Sequence, residues 1–149
     1  MSTDTVADNA FLTRFRGVFK GVLRWDQLDA LWDTVRSDDK AWYVYAVGDA
    51  VPETPSSRED FVKFINEINN LLHKDHEEDY CGIVYADDFA DPHFIKIFDP
   101  HNLGVSCGYS DNPPLPGWVL STLPPADLPN AFPPPANRKR WWQKMFSGR

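Results

Sequence analysis

The chain has 149 residues, 42% hydrophobic and 25% charged, enough for one hydrophobic core, which excludes a disordered, collagen-like or coiled-coil chain. The formal net charge of −7 is unevenly spread: between residues 25 and 135, 20 acidic residues stand against 6 basic ones, a balance of −14. Arg14, Arg16, Lys20 and Arg24 make the first segment basic, as Arg138, Lys139, Arg140, Lys144 and Arg149 do the last; an acidic body with two basic ends excludes general nucleic-acid binding, which needs a continuous positive face.

No apolar run approaches the roughly 18 residues of a membrane-spanning helix, and the start Met1-Ser2-Thr3-Asp4 lacks the basic-then-apolar order of a secretory signal. With only two cysteines, Cys81 and Cys107, the chain is expected to be cytoplasmic, with reduced thiols.

Residues 1–8 are polar and aperiodic and read as a flexible N-terminal tail. Phe11, Leu12, Phe15, Val18, Phe19, Val22 and Leu23 then recur on one helical stripe. Asp26 can cap a second helix with Leu28, Leu31, Trp32 and Val35 on its apolar face, and the two stripes can join as one bent helix.

Trp42–Val47, ending at Gly48-Asp49, predicts a strand and turn. Ser56 with Glu59, or Ser57 with Asp60, offers a capping box for a helix over residues 58–75, whose apolar face is Phe61, Phe64, Ile65, Ile68, Leu71 and Leu72. Tyr80–Ala86 and His93–Phe98 predict an antiparallel hairpin. The link from the first strand through the helix to Tyr80–Ala86 also admits a right-handed parallel crossover.

Residues 113–135 hold nine of the thirteen prolines, so extended or turn structure should dominate there, with Trp118–Ser121 at best an edge strand. Asn137 can cap a terminal helix carrying Trp141, Trp142, Met145 and Phe146 on one side. The expected fold is therefore α+β: a small, mostly antiparallel sheet of three to four strands packed by helices. It divides into a tail (1–8), an α+β domain (9–123), a proline-rich connector (124–136) and a basic aromatic helix (137–149).

Several motifs carry possible chemistry. Gly104-Val105-Ser106-Cys107-Gly108 fits the nucleophile-elbow pattern G-x-S-x-G, but Tyr109–Pro114 cannot start the helix that an elbow needs, and all four histidines precede Ser106. Tyr85-Ala86-Asp87-Asp88 resembles the Tyr-x-Asp-Asp hairpin of reverse-transcriptase-like polymerase palms. Asp87, Asp88 and Asp91 also resemble the D-D-x-x-D magnesium site of prenyl-diphosphate enzymes. The first resemblance covers four residues of a chain too short for a palm and its supporting subdomains, and the second motif belongs on a helix; a solvated acidic turn is the simpler reading of both. His73 and His76, three residues apart, could share a metal if Asp79 or Cys81 converged on them, although histidines near a helix C-terminus also serve its last carbonyls. Cys107 with His101 is the thiol–imidazole pair a cysteine nucleophile would need. No cofactor is expected.

The stretch Arg138-Lys139-Arg140-Trp141-Trp142-Gln143-Lys144-Met145-Phe146 suits docking into a partner's apolar groove, with Trp141, Trp142 and Phe146 as anchors and Arg138 and Arg140 orienting them. The same residues could pack onto the domain's own sheet or touch an anionic membrane surface. The expected function is a non-catalytic protein-binding module. The alternatives are a small enzyme using Cys107 and His101 or an Asp87/Asp88/Asp91 ion site, and an acidic nucleic-acid mimic.

Overall fold

The computed structural model describes residues 9–75, 83–98 and 115–131. Asn9 caps helix α1, Ala10–Phe15, its extended backbone allowing the side chain to accept the Leu12 N–H at 3.1 Å. The helix stops well short of Leu23. Gly17 costs about 1 kcal/mol relative to alanine inside a helix, and its N–H bonds the Arg14 carbonyl at 2.9 Å, closing the last turn. Beyond it Lys20–Gly21 forms a short strand, β1, paired antiparallel with β3, Val84–Ala86. The extended backbone sends Phe19 toward Phe94 and Val22 into the other core cluster, leaving Val18 88% and Leu23 59% exposed. A strand thus replaces the second half of the predicted helix and separates the two helices that a continuous stripe would have joined.

Helix α2, Trp25–Ser37, starts one residue before the predicted cap. Gln27 Oε1 reaches back to accept the Leu23 and Arg24 N–H groups at 2.9 and 3.1 Å, and Asp26 instead pairs with Arg24 at 3.1 Å. Helix α3, Arg58–Asp75, has the predicted bounds; Ser57 Oγ accepts the Asp60 N–H at 3.1 Å. The two helices are joined by Trp32 Nε1 donating to Asn69 at 3.1 Å and Arg36 Nε donating to Asn66 at 3.2 Å.

With β2 (Tyr43–Ala46), β4 (Phe94–Ile97) and β5 (Trp118–Ser121), the sheet has five strands in the order β1-β3-β4-β5-β2, and every neighbouring pair is antiparallel. The predicted β3–β4 hairpin is present. The fold class is α+β, with five strands rather than three to four. Two further expectations are corrected. β5 is an inner strand, because the prolines flank Trp118–Ser121 without entering it and leave all four N–H donors for two neighbours. The segment from β2 through α3 to β3 is no parallel crossover: the two strands are not adjacent, and the alternation of the sheet makes them antiparallel.

One face of the sheet packs under α2 and α3, around Trp32, Trp42, Phe61, Ile65, Ile95 and Leu120. The other carries Tyr45, Phe94 and Val119 beneath α1 and a single helical turn, α4, Leu128–Ala131, inside the proline-rich stretch. Leu128 is fully buried there, and its N–H donates to the Tyr45 hydroxyl at 3.1 Å. Among the described residues no helix is long and apolar enough to cross a membrane.

Candidate functional site

The β3–β4 turn holds the three candidate carboxylates, and each has a structural bond. Asp87 Oδ1 accepts the His93 and Phe94 N–H groups at 3.0 and 3.1 Å, while Oδ2 meets Arg14 at 3.1 Å. Asp88 Oδ1 accepts the Asp91 and Ala90 N–H groups at 3.1 and 2.8 Å, bonds that lower its pKa by favouring the carboxylate. Asp91 accepts from Lys40 Nζ at 2.8 Å, which lowers the pKa of the acid and raises that of the amine. The acids thus close an Asx turn and tie it to α1 and to the start of β2. Among the described residues no three of His, Cys, Asp or Glu are grouped to hold an ion.

A cleft of about 260 Å³ lies where α2, β2 and α3 meet, lined by Asp39–Trp42, Ser56, Arg58 and Phe61. The Arg58 guanidinium donates to the Val35 and Lys40 carbonyls at 2.8 and 2.9 Å and to Asp38 at 3.0 Å, and it stands over the Phe61 ring. Phe61 stacks on Trp42 with centroids 5.5 Å apart, and the indole N–H donates to Asp38 at 3.2 Å. Arg58 satisfies carbonyls that the end of α2 leaves open, so its guanidinium is a joint of the fold and is already engaged.

Lys96, on β4, carries the described group whose titration moves furthest. Burial pushes its amine down to about 8. Its Nζ lies 4.2 Å from the Phe15 ring centroid and 4.0 Å from that of Phe19, whose π faces favour the charged form. Nothing in the sequence marked this lysine; its neighbours are set by α1 and the bend after it.

The remaining feature is the outer edge of β1. Val18 and Leu23, on either side of it, are the two exposed large hydrophobic residues among the described ones. The stretch 9–24 has four basic and no acidic residues, unlike the body that follows. The register Lys20↔Ala86 and Gly21↔Tyr85, with the Val22 N–H donating to the Val84 carbonyl at 2.8 Å, points the Gly21 N–H and C=O away from β3. A Cβ on Gly21 would lie 3.0 Å from the Tyr85 ring, so glycine is what lets that ring cover the strand. At the opposite edge of the sheet the loop after β2 is bound at both ends of that strand: Asp49 N–H to the Ala46 carbonyl, Ser56 N–H to the Trp42 carbonyl. That loop carries Pro52 and Pro55, which protect an edge.

This surface is hidden in the sequence because the periodicity places Val18 and Leu23 on a buried stripe. Gly17 and Gly21, four residues apart within it, were the available signal. His73 lies flat on the Trp25 indole, centroids 4.1 Å apart. Its proposed co-ligands His76, Asp79 and Cys81 fall outside the described residues, as do Ser106, Cys107, His101 and the terminal Arg138, Arg140, Trp141, Trp142 and Phe146. Comparison of the chain with protein families, curated proteins and solved structures finds no match.

Proposed function

We propose that this chain is a non-catalytic protein-binding module of the cytoplasm. The observation that carries the reading is the placement of Val18 and Leu23: large apolar side chains left in water on either side of a sheet-edge strand, within the basic part of an acidic protein. The engagement of Asp87, Asp88, Asp91, Asp38 and Arg58 in bonds internal to the fold agrees with it, because a catalytic constellation needs groups held ready for a substrate. The basic aromatic residues 137–149 join the proposal on their composition, as a second contact with the same or another protein.

The test is affinity capture from the native host with identification of what is retained. The wild-type chain should hold a defined protein that the double variant V18D/L23D loses while keeping its thermal transition. Equal capture by both would refute a role for this surface.

A further inference from the structure

Resting on the protein-binding reading, we infer that the outer edge of β1 accepts an extended, acidic segment of the partner as an added strand of the sheet. The outward N–H and C=O of Gly21 form a donor–acceptor pair of the kind strand addition uses, and no described residue bonds either of them. Apolar contact is on offer at both ends of the strand, from Val18 and Leu23.

Charge selects the occupant. Lys20 is exposed on the strand itself and lies near enough to Asp88 to favour its carboxylate, while Arg14 and Arg24 are already paired with Asp87 and Asp26. A carboxylate on the incoming strand would lie across from Lys20, the one cation on β1, whereas a second copy joined edge to edge would bring two such lysines together. The Leu23 N–H is already taken by Gln27, so the pairing is centred on Gly21 and is short. Binding should therefore be modest and salt-sensitive, since the charges involved are exposed.

The experiment uses the full chain and two synthetic octapeptides, one alternating valine with glutamate and one alternating valine with lysine, followed by residue-resolved amide hydrogen exchange. The Val/Glu peptide should bind more tightly than the Val/Lys peptide and slow exchange at Gly21 by about tenfold or more. K20E should weaken the Val/Glu complex and strengthen the Val/Lys one, with the fold intact because Lys20 points into solvent. Binding without added protection at Gly21, no binding of the Val/Glu peptide, or a Gly21 amide already protected in the free chain would each overturn strand addition. If V18D/L23D still abolishes partner capture in any of those cases, the protein-binding reading stands and only its mode falls.

Discussion

Asp87 shows how an acidic motif is used up by structure. One oxygen accepts two backbone N–H groups of the β3–β4 turn and the other meets Arg14, with the aspartate side chain only 13% exposed. Asp87→Ala leaves those donors unpaired and should cost about 2 kcal/mol in denaturant unfolding. Arg14→Ala should cost less than about 1 kcal/mol, because Arg14 is 47% exposed and its half of the pair is screened. The motif could be read from the sequence, but its role could not: the two N–H donors come from residues 93 and 94, which arrive only when the hairpin closes. Lys96 allows a check by pH. Its amine is lowered from 10.5 to about 8 in the folded chain, so between those values the unfolded chain holds the extra proton. Stability should therefore rise with pH from about 8 to 10.5. A Lys96→Met variant, lacking that proton linkage, should lose this rise when urea midpoints are compared across the range; parallel profiles for the two chains would mean that the Phe15 and Phe19 rings offset burial.

Elements whose pattern is local were readable, and those that depend on distant partners were not. The 58–75 helix repeats its apolar residues at helical spacing from Phe61 to Leu72 and carries its own cap, so it needs no context. Lys20–Gly21 becomes a strand only because β3 and the Tyr85 ring lie beside it; locally, Phe19 and Val22 fit a helix as well as a strand. β5 looked marginal amid prolines, yet Val119 and Leu120 are fully buried on opposite faces of the sheet. The helical turn α4 escaped notice for the same reason. Leu128 there fills the second cluster, and Leu128→Ala should cost about 2–4 kcal/mol. Tyr45→Phe removes the acceptor of a buried N–H and should cost about 1–2 kcal/mol. Losses well below these figures in chemical denaturation would show that the 124–131 segment contributes little to the domain.

In the molecule as a whole an acidic body meets a basic edge, joined to it by the Arg14–Asp87 and Arg24–Asp26 pairs. Charge counting alone revealed the asymmetry, the 20 acids against 6 bases of residues 25–135 beside an acid-free stretch at 9–24. It could not reveal that two apolar side chains and an outward peptide group share that stretch, since this follows from the order of strands in the sheet. V18D/L23D should change folding stability by no more than about 0.5 kcal/mol, as expected for exposed positions. The most direct measurement of whether the chain works by holding a protein at this edge is photo-crosslinking in its own host, with a benzophenone amino acid placed at position 18 or, for comparison, at the exposed Lys63 on α3. A discrete adduct to one protein is expected from position 18 and none from position 63. Adducts of equal yield from both positions, or from position 63 alone, would contradict a role for this edge.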